Sequence, residues 1–594
     1  MTPQEIRERI LDVVGQNGGH LSSSLGAVEI ALALAEVFDP LKDRVVWDVG
    51  HQAYAWKILT EASRGGKDFS TLRRLDGVSP FPNPAESAAD AAVAGHAGSA
   101  RPVAVGLAAA RDRRGTDEQV VAVVGDASLV NGHSFEALNN ATAATRRLIV
   151  VLNDNDMAIS RPAGNFARFL GRLTSGVRYN RAKNAAKKAG RALRLSFLYG
   201  FVHWTKNRLK TMLLRDVCFE QFGFHYLGPV DGHDLAALKS ALTAAREEER
   251  PVIVHVVTRK GKGYAPAEKD PTGYHGIGPH QIPLTSRSAG TWSDAFGDAL
   301  IEAARTDERI VALTAGMKDG TGLEGFARAY PSRFFDVGIA EGHMVGFAAG
   351  LAAGGMRPVV AVYSTFLQRA VDQVMHDVCI AKLPVVFCVD RAGAVGADGV
   401  THQGLYDIAM LRTLPNLTIC QPKDAEDLKA LLAEALKRNG PTVIRYPRGR
   451  VSSLQSNVLS PEADAESRTL DIRRETRGTF SIWATGDQLE KARQVAEKIP
   501  GAEVTFARYL KPFDAELLKR QRADGMKIVS IENGAVAGGF GESIGADLRF
   551  GWPDEFIPHG SVAELERRYG FDTDSIVATI QSTNYQLQAT NCNG

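Results

Sequence analysis

The chain has 594 residues, 44% of them hydrophobic and 23% charged, with a formal net charge of +2. That length suffices for about three to four domains, and the near-neutral balance excludes a nucleic-acid or membrane-surface binder built on overall charge. No run approaches the ~20 apolar residues of a membrane span. The first residues lack an apolar signal-peptide core, and the five cysteines (218, 379, 388, 420 and 592) show no paired spacing, so reduced thiols in the cytoplasm are expected.

Short β-branched runs alternate with amphipathic stretches, and this predicts an α/β protein of three parts with parallel or mostly parallel sheets. The first part covers 1–285, with buried strands at 120–124 and 148–152 and a helix at 134–144. The second covers 290–450, with strands at 309–314, 358–362 and 384–390 and helices at 342–353 and 366–381. The third covers 478–585, with strands at 479–484, 503–507 and 527–532. The segment 265–288, rich in Pro, Gly and His, and the polar segment 451–478 read as linkers. The residues from 582 onward read as a frayed end.

Two strand ends carry metal chemistry. Asp126 follows the apolar run 120–124, and Asn155 follows 148–152. Carboxyl ends of parallel strands are where open α/β sheets bind ligands. Gly-Asp (125–126) or Asn-Asp-Asn (153–155) alone would read as an ordinary turn or loop. Together, one helix apart, they place two oxygens where one Mg²⁺ and a diphosphate can meet, with the Met157 carbonyl as a further ligand. Three Gly-His pairs, at 19–20, 50–51 and 95–96, set imidazoles beside flexible backbone able to cradle anions. Far downstream, Glu341 lies in the small-residue run Ile-Ala-Glu-Gly-His (339–343). A divalent cation at a diphosphate, and a carboxyl group at the other end of the same cofactor, are the two needs of thiamine diphosphate. The pairing points to carbon–carbon bond chemistry on small carbonyl compounds.

Longer runs carry a resemblance. Gly-Gly-His-Leu-Ser-Ser-Ser-Leu-Gly (18–26), Trp-Asp-Val-Gly-His-Gln-Ala-Tyr (47–54), Tyr-Ser-Thr-Phe-Leu-Gln-Arg-Ala (363–370), Asp-Arg-Ala-Gly-Ala-Val-Gly-Ala-Asp-Gly-Val-Thr-His-Gln-Gly (390–404) and Arg-Tyr-Pro-Arg-Gly (445–449) resemble the 1-deoxy-D-xylulose-5-phosphate synthase family. These are thiamine-diphosphate transferases of the transketolase group, and the likeness covers nearly the whole chain. It implies decarboxylative condensation of pyruvate with glyceraldehyde 3-phosphate to 1-deoxy-D-xylulose 5-phosphate and CO₂, feeding isoprenoid, thiamine and pyridoxal precursors. It implies thiamine diphosphate and Mg²⁺ as cofactors, a homodimer, and no nucleic-acid or membrane partner. On this reading residues 1–285 bind diphosphate and metal, and 290–450 bind the pyrimidine.

Site residues carry over by position. Glu341 matches the glutamate that hydrogen-bonds the pyrimidine, and Phe366 the aromatic that stacks on it. Asp126, Asn155 and Met157 match the metal ligands. His51, Gly95, His96, Ala97, Ala127, Ser128 and Tyr264 match further cofactor contacts, shared with Asn155. His20 and His275 match histidines placed for proton transfer. Tyr363, Arg391 and Arg448 match the acceptor-phosphate pocket, and Asp398 and His402 match groups near the acceptor aldehyde.

Three departures stand out. Gly-Asp-Ala (125–127) replaces the family's Gly-Asp-Gly, which binding survives if φ at Ala127 is negative. Gly-His-Ala-Gly (95–98) loses hydroxyl donors. Pro84 stands where the family carries an arginine that helps hold the donor. The segment 160–215 is rich in Lys and Arg with no acidic residue. In isolation it reads as a nucleic-acid or membrane patch; the resemblance makes it a mobile cover that draws in anionic substrates. The alternatives are a thiamine-diphosphate carboligase or transketolase with another donor or acceptor, and a non-catalytic cofactor-binding relative.

Overall fold

The computed structural model describes residues 1–155, 218–282, 290–451, 470–472 and 479–591. The chain divides into two compact units. One comprises residues 1–73 and 77–285; the other comprises 74–76 and 286–594.

The first unit is built on five parallel strands, in the spatial order Arg44–Trp47, Val120–Gly125, Ile149–Asp154, Val252–Val257 and His225–Asp231. Val120–Val124 and Ile149–Leu152 are buried throughout. A strand covered on both faces needs such a continuous apolar run rather than alternation. One layer of core is built on Ile6, Ile10, Leu25, Ile30, Leu34, Trp56 and Leu242. The other is built on Ala104, Ala108, Leu138, Ala141 and Phe219. The segment expected as a linker after residue 265 is instead part of this unit. It forms the short helix Ala265–Lys269, bridges Gly19 through Ile277, and buries Tyr274 and Ile277. Apolar anchors between its glycines hold it down.

The second unit contains two sheets. The larger has the order Tyr509–Lys511, Thr418–Cys420, Thr442–Arg445, Val386–Asp390, Arg357–Tyr363, Ile310–Thr314 and Phe334–Asp336. All its pairings are parallel except that of Tyr509–Lys511, which comes back antiparallel on Thr418–Cys420. The smaller runs Leu470–Ile472, Ala502–Ala507, Phe480–Thr485, Lys527–Ala535 and Leu548–Trp552, with only Leu470–Ile472 antiparallel. The α/β fold with mostly parallel sheets is therefore as expected.

Two elements differ from expectation. The stretch 366–381 is not one helix. It is a chain of short turns: α-helical Ser364–Leu367, 3₁₀ Gln368–Ala370, α-helical Val371–Gln373 and a π-helical turn Val374–Cys379. Leu367, Ala370, Val374 and Val378 all reach the same core at the 3–4–4 spacing of a helical stripe, so the apolar pattern does not tell these mixed turns from one helix. The final helix, Thr573–Asn591, runs past residue 582; no Pro or Gly interrupts it, so its backbone ladder continues. Cys379, Cys388 and Cys420 are buried and free, and burial raises the thiol of Cys379 to about 11. Among the described residues no helix is long and apolar enough to cross a membrane.

Candidate active site

In the first unit, the carboxyl edge of the sheet gathers polar side chains. Asp126 begins a 3₁₀ turn (Asp126–Val130) directly after its strand. It is buried, and its Oδ1 accepts the Ala127 N–H at 2.9 Å. Ala127 lies inside that turn and is absent from the residues with positive φ, so alanine fits here as well as glycine would. Ser128 is buried beside it. Asn155 follows the neighbouring strand, and its buried Oδ1 has no hydrogen-bond partner among the described residues.

The strand end below Asn155 is braced on both sides. Asn153 takes a bond from Thr258 Oγ1 (2.6 Å) and gives one to Gln52 (2.8 Å). Asp154 accepts from His255 Nε2 (2.9 Å), whose other ring nitrogen meets the Tyr226 hydroxyl (2.6 Å). Met157 and the basic segment 160–215 lie outside the described residues.

The Gly-His loops converge on the same edge. Gly98 has φ +83°, and a Cβ there would fall inside the Asn131 side chain, so only glycine suits. The buried Asp48 carboxylate ties this loop down by accepting from Gly98 N (3.0 Å) and Ala100 N (3.1 Å). Ser99 Oγ donates to the His96 carbonyl at 2.8 Å, while Gly95 and Ala97 are buried. His20, His51 and His275 form a triangle with ring centroids 5.4–6.2 Å apart. Burial, followed by the charges of neighbouring His20 and Lys260, holds His51 well below the usual imidazole range. Burial, then Lys260 and the other two imidazoles, does the same to His275. Both are therefore neutral near pH 7. Tyr264 packs edge-on to Tyr274, one residue before His275, with centroids 5.7 Å apart.

Lys260 was not singled out from sequence. It is buried, and burial brings its ammonium down to about 8 against the opposing pull of Asp126. Its signal was the run Arg-Lys-Gly-Lys-Gly-Tyr (259–264). Pro84 is exposed in a loop that buries Phe81, whose ring lies 5.5 Å from His20. An ionic cluster pins that loop. Arg64 grips Asp90 with two bonds (2.9 and 3.1 Å), Lys57 reaches Glu86 (3.4 Å), and Asp90 accepts from Asn83 N (3.0 Å).

The second unit gathers the remaining candidates. Glu341 opens the helix Glu341–Ala353, is 4% exposed, and has the Arg369 guanidinium 3.8 Å away. Phe366 stacks on Tyr363 (5.8 Å, 15°) and meets His402 edge-on (5.7 Å, 82°). The Arg391 guanidinium lies over the Tyr363 ring at 4.0 Å, a cation–π contact. Arg391 also pairs with the buried Asp390 (2.7 Å) and donates to Ser293 Oγ (3.0 Å) and the Gly320 carbonyl (2.8 Å). Burial raises Asp390, and Arg391 offsets part of that. Arg448, half-exposed, donates to Asp398 at 3.3 Å. His402 Nδ1 meets the Thr401 hydroxyl at 3.0 Å. Thus Tyr363, Phe366, Arg391 and His402 form one connected group, and Arg448, which follows the strand Thr442–Arg445, pairs with Asp398.

Three family models match along the chain. The 1-deoxy-D-xylulose-5-phosphate synthase model covers 2–258, the transketolase pyrimidine-binding domain 288–453, and the transketolase C-terminal domain 470–576. The 1-deoxy-D-xylulose-5-phosphate synthase of Desulforudis audaxviator is 44% identical, covering 97% of this chain and 93% of that protein. The chain belongs to the 1-deoxy-D-xylulose-5-phosphate synthase family. The Clostridium kluyveri member is 43% identical over 96% of this chain and 94% of its own length, and a Geobacter metallireducens member 43% over 97% and 95%. As a family member the chain is a transketolase-like, thiamine-diphosphate-dependent transferase.

The described residues fit that cofactor. Asp126 and Asn155 supply the hard oxygen donors a Mg²⁺ takes, one of them an orphaned buried carbonyl oxygen. The Asp126–Val130 turn and the loop fixed by Asp48 offer backbone beside them.

Proposed function

We propose that this chain condenses pyruvate with glyceraldehyde 3-phosphate, releasing CO₂ and forming 1-deoxy-D-xylulose 5-phosphate, a precursor for isoprenoids, thiamine and pyridoxal. Residues 1–285 serve the diphosphate and metal end, 290–450 the pyrimidine end, and 478–585 form the C-terminal part. Thiamine diphosphate, when bound, supplies an electron sink next to the donor carbonyl carbon. All else falls to the chain's own side chains.

Asp126 and Asn155 would hold Mg²⁺, with the Met157 carbonyl as the further ligand the family resemblance implies. Gly95, His96, Ala97, Ala127 and Ser128, with His51 and Tyr264, seat the cofactor beside it, and Lys260 offsets anionic charge there. Glu341 would hydrogen-bond the aminopyrimidine and hold the proton it exchanges, and Phe366 would supply an aromatic face to it. His275, kept neutral by burial, and His20 beside it accept and return protons near the reacting carbons. Arg391, held over the Tyr363 ring, grips the acceptor phosphate together with Arg448. Asp398 and His402 orient the aldehyde.

The observation that supports this most is the orphaned Asn155 oxygen one strand away from the buried Asp126 carboxylate. A fold alone does not call for an unsatisfied buried amide oxygen at that place. The test is Asp126→Ala, followed by calorimetric titration with thiamine diphosphate and Mg²⁺. The variant should keep its fold and lose cofactor binding by ~10²-fold or more, as metal-site changes do; unchanged affinity would remove Asp126 from the site.

A homodimer and a cytoplasmic location belong to the same reading. In support, the helices Ala100–Arg114 and Gly132–Ala144 expose Val103 and Phe135, and three cysteines remain free thiols. Pro84 favours one variation, an enzyme that grips its donor's carboxylate less firmly than its relatives do.

A further inference from the structure

We infer that Asn533, in the C-terminal part of the chain, is a positioning residue for the acceptor end of the site: it fastens the strap 391–404 that carries Arg391, Asp398 and His402. The inference rests on the acceptor-pocket reading of that strap.

The strap leaves the strand Val386–Asp390 and closes on itself where Gly393 and Gly404 exchange backbone hydrogen bonds of 2.7 and 2.8 Å. Its inner side is then tied to the C-terminal part at two points. Ala394 N donates to Asn533 Oδ1 at 3.0 Å. Gln403 Oε1 accepts from Val395 N (2.8 Å) and Gly396 N (3.3 Å), while its Nε2 donates to the Pro558 carbonyl (3.1 Å). The backbone fits as closely as the bonds suggest. Gly393, at φ +85°, has no space for a Cβ because the Asn533 side chain fills it, and Gly396, at φ +80°, lies against the Gly560 carbonyl.

Asn533 cannot drift or flip. Its Oδ1 also accepts from Trp552 Nε1 (2.9 Å), its Nδ2 donates to Asp487 (2.7 Å), and its carbonyl accepts from Arg445 (2.9 Å). Arg445 is itself locked by two bonds to Asp407 (3.0 and 3.1 Å) and one to Gln421 (2.6 Å). Every group in this buried network is shared between elements, so its geometry is fixed before any ligand arrives. No reacting group of the proposed mechanism lies in the C-terminal part. Its contribution is to hold the strap at the height where His402 meets Phe366.

The experiment uses the full chain loaded with thiamine diphosphate and Mg²⁺. Hydrogen exchange is followed by mass spectrometry on peptides spanning 391–404, and KM is measured for each substrate. Asn533→Ala should speed exchange across the strap and raise KM for glyceraldehyde 3-phosphate ~10-fold or more, the scale of small misplacements. KM for pyruvate should stay within about twofold. Gln403→Met removes the second fastening independently and should do the same; it carries the test if Asn533→Ala does not fold.

Unchanged strap exchange in Asn533→Ala and Gln403→Met overturns the inference, as does an equal loss for both substrates, which would mark general destabilisation. Faster strap exchange with both Michaelis constants unchanged keeps the fastening but overturns the acceptor-pocket reading.

Discussion

Glu341 sits in the first turn of its helix, buried, with a guanidinium 3.8 Å away. The helix N-terminus and Arg369 both set positive potential beside its carboxyl group. Glu341→Gln keeps shape and hydrogen-bonding reach but removes the exchangeable carboxyl. Thiamine diphosphate should still bind, while hydrogen–deuterium exchange at its thiazolium C2, followed by NMR after acid quench, should slow by ~10²-fold or more. Exchange at the parent rate would take Glu341 out of the proton path. Pro84 poses the converse question, since it supplies neither charge nor a backbone donor. Its loop is already held by Arg64, Asp90 and Glu86, so an added side chain should not disturb it. Pro84→Arg should lower KM for pyruvate by ~10-fold, the worth of one charge-assisted hydrogen bond, and leave KM for glyceraldehyde 3-phosphate unchanged. Pro84→Ala separates charge from backbone freedom: if both variants behave alike, the missing charge is irrelevant.

At the scale of elements, the strand Lys527–Ala535 carries a titrating group in its core. Burial raises Glu532 to about 7, although its carboxylate accepts from Phe540 N (2.7 Å) and Gly541 N (2.8 Å). Between the ordinary carboxyl range near 4.5 and pH 7 the folded chain therefore binds more protons than the unfolded one. Stability from this group is present below 4.5 and lost as pH rises through 7. Glu532→Gln stays neutral throughout. Urea unfolding at pH 5 and pH 7.5 should show the parent losing on the order of 2 kcal/mol relative to the variant; parallel pH profiles would remove Glu532 as the source.

The long apolar strands were legible in the sequence because a strand buried on both faces leaves an uninterrupted run, as Val120–Val124 does. The turns between 364 and 379 were not. Over a dozen residues, a chain that alternates α, 3₁₀ and π hydrogen bonds shows nearly the same apolar spacing as a helix. Asp126, Asn155 and Glu341 were legible from short motifs at strand ends and in a glycine-rich run. Asp48 and Asn533 act through partners tens to more than a hundred positions away, and no short-range periodicity marks what they hold.

At the scale of the molecule, three sheets divide between two units, and the residues proposed for the two ends of the cofactor fall in different units. Such a chain often completes its buried surface by pairing with a second copy. Light scattering at micromolar concentration should give twice the chain mass, and a monomer would refute the pairing. The strand Tyr509–Lys511 carries a further consequence. It lies antiparallel on Thr418–Cys420 and is the last strand of the seven-stranded sheet. It thus acts as a selvedge, a finished border that stops the weave from unravelling. Were the chain cut anywhere between 453 and 470, the strand beneath would present bare N–H and C=O groups to any passing chain. Cys420, now fully buried, would then stand at that open margin. The C-terminal part cannot be trimmed away as an appendage, because the sheet that bears Arg391 ends on it.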